Sequence, residues 1–243
     1  MKNSVIILAA GKGTRMQSEL PKVLHKLKNK TLLERVIDTS KNLLCEKIIV
    51  VIGYKKNILK NEINKIDNVE YAIQEKQKGT AHAVKMCFEN LKGFTGNVII
   101  LSGDVPLISK KTLTKLIDTK RTTNSKASIL ASSIDEPSGY GRIIRNSCGN
   151  LKKITEHKDC NKIELEINEI NAGIYVIENE FLKKYIPKIK NNNAQGEYYL
   201  PDLVNLMVRD NIPVSIFKTP NFKEISGVNS IEQLTDLENY IND

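Results

Sequence analysis

A glycine-rich, positively charged loop follows the first apolar run of the sequence. Residues 7–16 read Ile-Leu-Ala-Ala-Gly-Lys-Gly-Thr-Arg-Met, and Leu-Pro-Lys follows at positions 20–22. Backbone amides beside glycine, the forked guanidinium of Arg15 and the compact ammonium of Lys22 are groups that hold phosphate oxygens. The loop therefore predicts a protein that handles a nucleotide.

The spacing of this loop excludes two common phosphate-binding motifs. It lacks the Gly-Lys-Ser/Thr of a P-loop, and Met16 stands where a dinucleotide fingerprint has its third glycine. Gly-x-Gly alone is also explained by an ordinary turn between a strand and a helix, so the prediction of phosphate binding depends on the cationic side chains of Arg15 and Lys22. Because the residue before a proline avoids the helical region, Leu20-Pro21 predicts an ordered, extended loop.

Polar residues with suitable chemistry recur at the ends of other apolar runs. The carboxylate of Asp104 is a ligand that Mg²⁺ prefers, although a turn residue explains a lone Gly-Asp equally well. The amide of Gln74 both donates and accepts, as the edge of a pyrimidine requires. Gly79 permits close approach of a ligand, and Thr80 also fits a helix cap.

The second half of the sequence holds polar clusters that fit a sugar. Gly141, Glu156 and Asn171 lie beside predicted strands, where their groups suit hydroxyls and an acetamido group, although turn chemistry explains each one singly. Arg142 lies in a glycine-bearing motif, so we expect it where a phosphate is held. Asn229 precedes the last predicted helix, as a cap or, alternatively, as a metal ligand.

The composition is that of an ordinary globular protein with a basic surface. The chain has 243 residues, 40% of them hydrophobic, and a formal net charge of +9. Only six of the 37 basic residues are arginine, and no basic run of five or an aromatic strip accompanies them, so we expect no nucleic-acid partner. The scattered cysteines and histidines predict neither a zinc site nor disulfides. No segment has the length of a membrane span, so we expect a cytoplasmic protein without a membrane partner.

The first half of the sequence alternates strands and helices. We predict strands at residues 4–9, 47–52, 69–73 and 98–101, and helices at 31–44, 56–65, 80–91 and 109–119. This alternation is typical of a Rossmann-like, doubly wound α/β fold with a mostly parallel sheet and helices on both faces. Ligands of such sheets bind at the carboxyl ends of the strands, so the glycine loop and Asp104 should face one cleft.

The regular alternation of strands and helices ends after residue 125. We predict strands at 127–132, 172–177 and 214–218, a hairpin of strands 142–145 and 151–155, and helices at 199–208 and 231–241. We find no linker and no repeat. The sequence therefore predicts one domain, 1–243, in which residues 126–228 complete the sheet and add a small β-rich lobe, before a C-terminal helix in 229–243.

Taken together, the motifs resemble the uridyltransferase (pyrophosphorylase) domain of the bacterial enzymes that make UDP-N-acetylglucosamine, in the sugar-nucleotidyltransferase superfamily. The resemblance runs from about Val5 to the end of the sequence, and its later motifs, in this order, mark the N-acetylglucosamine branch. These motifs are residues 8–16, 20–25, 77–83, 103–107, 139–143, 156–158, 169–171 and 191–199.

The resemblance implies a Mg²⁺-dependent transfer of UMP from UTP to N-acetylglucosamine 1-phosphate, which gives pyrophosphate and a cell-wall precursor. Residues 1–125 would then bind the nucleotide and residues 126–228 the sugar. Arg15, Lys22 and Asp104 would be catalytic, and Asp104 and Asn229 would hold the metal. The sugar would contact Gly141, Glu156, Asn171 and Asn229. The nucleotide would contact Leu8, Ala9, Ala10, Gly11, Gly13, Lys22, Gln74, Gly79 and Thr80.

The sequence departs from this family in one large respect. The two-activity enzymes continue into a β-helix of hexapeptide repeats, which carries acetyltransferase activity and trimer contacts, and the sequence holds no such repeat. We therefore expect no acetyltransferase activity. The resemblance also does not predict an oligomer, so the oligomeric state is left open and includes a monomer.

Three alternatives stay open on the sequence. The same chemistry could act on another hexose 1-phosphate or use thymidine in place of uridine. A binding protein could keep the cleft without turnover, although the presence of all four residues Arg15, Lys22, Asp104 and Asn229 argues against it. A nucleic-acid binder would show a steep salt dependence of its affinity.

Overall fold

The structure is a computed structural model that describes residues 2–16 and 18–242. The first half contains the following elements in chain order: β1 (Asn3–Leu8), β2 (Lys26–Leu27), β3 (Lys30–Thr31), α1 (Leu32–Asn42), β4 (Lys47–Ile52), α2 (Lys56–Ile63), β5 (Glu70–Ile73), α3 (Thr80–Lys85), β6 (Asn97–Ser102) and α4 (Lys110–Thr122). The second half contains β7 (Ala127–Ser133), β8 (Gly141–Arg145), β9 (Leu151–Thr155), α5 (Lys162–Leu165), β10 (Glu169–Glu178), α6 (Asn179–Tyr185), α7 (Pro201–Arg209), β11 (Val214–Lys218) and α8 (Ile231–Asn242).

One sheet runs through both halves of the chain. Its strand order is β11-β7-β10-β6-β1-β4-β5, and the β8–β9 hairpin extends from β10. Neighbours are parallel from β6 to β5 and between β7 and β11, whereas β10 runs antiparallel to both β6 and β7. The predicted mostly parallel sheet is confirmed, with one reversed strand joining two parallel blocks.

Both faces of the sheet are buried, as continuous apolar strands require. Ile6 in β1 points into a core formed with α3, α6 and α7, and its neighbours Val5 and Ile7 point into a second core with α1, α2 and α4. A third cluster holds Met16, next to the glycine loop, against α8 and the short β2–β3 hairpin.

Local capping explains several helix starts. Thr31 Oγ1 accepts from the Glu34 N–H while the Glu34 carboxylate accepts from the Thr31 N–H, which is a complete capping box for α1. Ser109 caps α4 by accepting from the Thr112 N–H.

Two local predictions are wrong, and some elements were not predicted. The helix predicted to Leu91 ends as α3 at Lys85, because the following amides bond three residues back and tighten the backbone into turns, as Cys87 N–H does with Val84 O. Leu44, the last residue of the helix predicted at 31–44, has a φ of 53° beyond the end of α1 at Asn42 and is exposed. The sequence also missed α5, α6 and the β2–β3 hairpin.

The C-terminal helix is observed at Ile231–Asn242, close to the predicted 231–241. Met1 and Asp243, the two ends of the predicted domain 1–243, lie outside the described residues. No helix in residues 2–16 and 18–242 is long and apolar enough to cross a membrane.

Candidate active site

The carboxyl ends of β1 and β6 open into one cleft, as predicted. The cleft holds a large cavity of about 600 Å³ and a small cavity of about 190 Å³, and Leu8, Thr80 and Ser102 line both. All nine residues predicted to contact the nucleotide line the large cavity, together with Asp104. The shared wall makes the two cavities neighbouring compartments of one site.

The glycine loop is held at its start by the sheet and at its end by a buried methionine. The Tyr54 N–H donates to Ala10 O, and the Met16 N–H donates to Gly13 O at 3.0 Å. Gly13 has a φ of +60°, and a Cβ there would lie 2.6 Å from Lys22 Cβ, so only glycine lets the two segments pass. Residues 14–16 and 22–24 form 3₁₀ turns. The predicted extended loop is therefore wrong at these turns, because burying Met16 and Leu24 coils the chain.

Lys22 joins the two residues predicted to hold a metal. Its ammonium forms an ion pair with Asp104 Oδ2 and donates to Asn229 Oδ1 at 2.9 Å. The Val228 N–H donates to the backbone oxygen of Asp104 at 2.9 Å, which draws the start of α8 to the end of β6. A carboxylate and a carboxamide oxygen thus converge on one cation.

The interpretation of Asn229 as a helix cap is wrong. The Gln233 N–H donates to Ser230 Oγ at 3.3 Å, so Ser230 caps α8. The side chain of Asn229 is therefore free to face Lys22. Among the described residues, no group of three or more His, Cys, Asp and Glu side chains is placed to hold a metal.

Gln74 lies at the wall of the large cavity with a fixed amide. It is 3% exposed, and its Nε2 lies 3.0 Å from Gly79 O and 2.9 Å from His82 Nδ1. Gly79 has a φ of +103°, and a Cβ there would lie 2.6 Å from Tyr198 O. The cavity wall is thus closed tightly around the end of β5.

Thr80 is the first residue of α3 rather than its cap, so the cap interpretation is wrong here too. Its Oγ1 accepts from the Leu200 N–H at 2.9 Å, which ties α3 to the segment before α7. This bond fixes the wall between the large and the small cavity, because Thr80 and Leu200 both line the small one.

Three of the predicted sugar contacts meet in the small cavity. Gly141, Glu156 and Asn171 line it, and a Cβ on Gly141 would lie 3.5 Å from both carboxylate oxygens of Glu156. Asn171 Nδ2 donates to Tyr175 Oη at 2.7 Å, which fixes the amide. Asn229, also predicted to contact the sugar, is not in this lining and lies at Lys22 instead.

Glu156 carries an unusual charge environment. Burial, and secondarily the carboxylates of Asp202 and Asp159, raise its pKa to about 7. A carboxyl group with such a pKa can accept a hydrogen bond from a hydroxyl group when ionised and donate one when protonated. Groups with shifted pKa values concentrate at functional sites.

The two arginines of the glycine-bearing motifs lie elsewhere. Arg15 is exposed and lines a third cavity of about 430 Å³, together with Gly139 and Glu156, rather than the large cavity. Its contact with phosphate stays a prediction. Arg142 is 2% exposed and donates to the backbone oxygens of Pro137 and Tyr140. The expectation that Arg142 holds a phosphate is wrong, because its guanidinium shapes the loop before β8.

Sequence reasoning missed several residues of the site. Ser102 is the last residue of β6, so the rule that places ligands at carboxyl ends of strands could have found it. Gln77 lies within one of the motifs of the resemblance, which gave it no role of its own. Tyr140 and Glu197 also lie within motifs of the resemblance that gave them no role, whereas Tyr175 had no local signal, because its place in the lining follows from long-range packing.

The comparisons with known proteins agree with this architecture. The nucleotidyl transferase family matches residues 4–222. The chain is 43% identical over 243 residues to the bifunctional protein GlmU of Geobacillus thermodenitrificans, covering 100% of the chain and 52% of that protein. It is 46% identical over 240 residues to the bifunctional protein GlmU of Clostridium tetani, covering 98% of the chain and again 52% of the relative. The chain thus spans about half the length of these curated relatives.

A solved structure shows the same fold. The crystal structure of UDP-glucose pyrophosphorylase complexed with UDP-glucose superposes with a TM-score of 0.78 at 19% identity, covering 100% of this chain and 99% of the other. At that identity the likeness concerns the fold, and it confirms the predicted Rossmann-like architecture.

Proposed function

The chain belongs to the nucleotidyl transferase family, and from that premise we propose that it transfers UMP from UTP to N-acetylglucosamine 1-phosphate. The products are UDP-N-acetylglucosamine and pyrophosphate. The observation that carries the proposal is the pair of adjoining cavities, one lined by the glycine loop with Lys22 and Asp104, the other by Gly141, Glu156 and Asn171. Two substrates that react with each other need two compartments with a common wall.

The large cavity suits the nucleotide. Gln74 and Gly79 line it, where amide and backbone groups meet the base, and the backbone of Leu8 to Gly11 lines it as well. Lys22, with Arg15 from the neighbouring cavity, supplies positive charge for the phosphates. In this proposal residues 1–125 bind the nucleotide and residues 126–228 bind the sugar.

The small cavity suits an acetylated sugar. Glu156 accepts from hydroxyl groups, and the fixed amide of Asn171 offers a directed polar contact beside it. Gly141 leaves room directly against the Glu156 carboxylate, where a side chain would displace the sugar ring.

The reaction needs no general base. The sugar phosphate is already an anion, so one of its oxygens attacks the α-phosphorus of UTP, the new P–O bond forms, and the bond to the β-phosphate breaks in line with it. Pyrophosphate leaves with the electron pair. The residues therefore act by positioning both phosphates and by balancing negative charge, which is the work of Lys22 and Arg15.

The residues at Lys22 also fit Mg²⁺. Oxygen ligands are what this ion prefers, and Asp104 and Asn229 already present a carboxylate and a carboxamide oxygen to the cation of Lys22. When bound there, Mg²⁺ would neutralise charge on the transferred phosphate. We place the reaction in the cytoplasm, where UTP is available, and its product among the precursors of peptidoglycan and lipopolysaccharide.

Pyrophosphate release tests the proposal directly. The protein is incubated with UTP and N-acetylglucosamine 1-phosphate, with Mg²⁺ or with chelator, and we expect release only with the metal and with both substrates. Parallel reactions contain glucose 1-phosphate, glucosamine 1-phosphate or dTTP. Faster turnover with any of these would replace the substrate assignment and keep the chemistry. No release from any pair would favour a binding protein.

The Asp104→Asn variant tests the metal assignment. Loss of one ligand charge should lower turnover by about 100-fold or more at limiting Mg²⁺. Near-normal turnover under that condition would contradict the role of Asp104. Binding to random-sequence DNA, with affinity falling steeply with salt, would instead support a nucleic-acid partner.

A further inference from the structure

The orientation of the Gln74 amide is fixed by chemistry. Gly79 O lies 3.0 Å from one terminal atom of the amide, and a backbone carbonyl can only accept a hydrogen bond. The atom facing it must therefore be the NH₂ group. The same NH₂ group lies 2.9 Å from His82 Nδ1, so that ring nitrogen must be an unprotonated acceptor.

The surroundings of His82 favour this neutral form. Burial lowers the pKa of the imidazole, and the nearby cations Lys78 and Lys85 lower it further. Both hydrogens of the Gln74 amide are then committed, one to Gly79 and one to His82. The backbone of Gln74 is fixed too, since its N–H donates to Ile52 O and its carbonyl oxygen accepts from the side chain of Gln77.

We propose that His82 is a positioning residue that sets the choice of base, by holding Gln74 with its carbonyl Oε1 presented to the large cavity as an acceptor. The inference rests on the proposed function, because it assumes that the base lies against Gln74. No hydrogen bond among the described residues uses this Oε1, and Gln74 lines the cavity.

A fixed acceptor distinguishes two classes of pyrimidine. Uracil and thymine carry an imide N–H that donates to Oε1. Cytosine carries an unprotonated ring nitrogen at that position, which would place a lone pair against a lone pair. An amide that is free to rotate by 180° could instead present its NH₂ group to cytosine. Selectivity thus depends on the second anchor at His82 as well as on Gln74 itself.

Two variants of nearly equal shape separate this role from simple packing. In His82→Asn the new Oδ1 is as many bonds from Cβ as the native Nδ1, so it can accept from Gln74. In His82→Leu a methyl group takes that place and accepts nothing. The ratio of kcat/KM for UTP to that for CTP is measured with N-acetylglucosamine 1-phosphate, and the two affinities are measured by calorimetry.

We expect the UTP-to-CTP ratio to fall by about 3- to 10-fold in His82→Leu, the worth of one net hydrogen bond, and to be largely restored in His82→Asn. The loss should lie mainly in KM. An unchanged ratio in His82→Leu, or an equal loss in both variants, would overturn the inference.

The calorimetric ratio keeps this test separate from that of the proposed function. A wild-type protein that binds UTP more tightly than CTP but releases no pyrophosphate would refute the proposed reaction. The role of His82 would then be tested by the UTP-to-CTP affinity ratios of the two variants. A wild-type protein without preference for UTP over CTP would overturn the inference, even with normal turnover. Melting temperatures of all three proteins show whether a variant has lost its fold.

Discussion

Replacing Glu156 with glutamine should stabilise the fold and weaken sugar binding in the same protein. Burial next to Asp202 and Asp159 raises the pKa of Glu156 to about 7, so the folded chain resists ionisation of this group. The unfolded chain loses its proton first as the pH rises. The cost to stability therefore begins near pH 4.5 and is complete above pH 7, and glutamine removes it.

The size of the effect follows from the pKa. The value lies about 2.5 pH units above the ordinary 4.5, which at 1.36 kcal/mol per unit sets an upper limit of about 3 kcal/mol for the ionised group. Because Glu156 is partly exposed at the cavity mouth, solvent screening reduces this to about 1.5 kcal/mol. For a chain of this size the melting temperature should rise by about 3–6 °C at pH 8. At pH 5, where the group is only partly ionised in the folded chain, the gain should be about 0.7 kcal/mol, roughly half of its value at pH 8.

Thermal unfolding at pH 5 and pH 8 measures the first half of this prediction, and the KM for the sugar phosphate measures the second. Glu164→Gln is the matched control, because Lys153 at 2.7 Å lowers the pKa of Glu164 and glutamine can keep the capping box with Asn161. It should lose stability at pH 8, and the loss should shrink as the pH falls through the lowered pKa. A Glu156→Gln protein that melts lower at pH 8, or gains equally at both pH values, would refute the reasoning.

Three further substitutions have expected outcomes. The Lys22→Met variant should bind Mn²⁺ about 5- to 10-fold more tightly in the absence of nucleotide, because the Lys22 ammonium no longer competes for the oxygens of Asp104 and Asn229. The affinity is measured from the paramagnetic resonance signal of free Mn²⁺, and an affinity equal to that of the wild type would show that the ammonium does not compete. Gly79→Ala should raise the KM for UTP at least about 10-fold, because its Cβ meets backbone at 2.6 Å, whereas Gly93→Ala, with open space, should lower only the melting temperature. Lys120→Met should cost about 2–4 kcal/mol in urea unfolding, because Glu178 stays buried after losing a partner at 2.8 Å; a loss below about 1 kcal/mol would contradict this.

The sequence predicted the elements whose signal is local. β4 was predicted with its observed bounds, because an unbroken apolar run between Lys47 and Gly53 leaves no other start or end. The true end of α3 has no such mark, since Met86 and Cys87 are compatible with a helix and only the packed structure shows the tightening of the backbone there. Apolar periodicity thus identifies an element more reliably than its last turn.

The same limit applies to the site. Gly13 and Asp104, which line the large cavity, were predicted as candidate site residues because glycine chemistry and strand ends are visible in one short segment. The environment of Glu156 was not, because Asp202 reaches it only after β9 packs against α7. The bond between Gln74 and His82 spans just eight residues, yet it depends on the backbone of Gly79 directly before α3, whose φ of +103° favours glycine.

The reversed strand β10 explains how the small cavity forms beside the large one. Between Asn171 and Tyr175 the strand advances four residues while its partner β7 moves two, so two extra residues bulge out at Gly173, where φ is +70°. Since the insertion is even, Asn171 and Tyr175 stay on one face and their side chains bond at 2.7 Å. Ahead of the bulge, Asn171 pairs with Gly141 of β8, which brings the β8–β9 hairpin, and Glu156 directly after it, to the small cavity beside the large one. A single irregularity in one strand thus places a second compartment beside the large cavity at the carboxyl ends of the parallel strands.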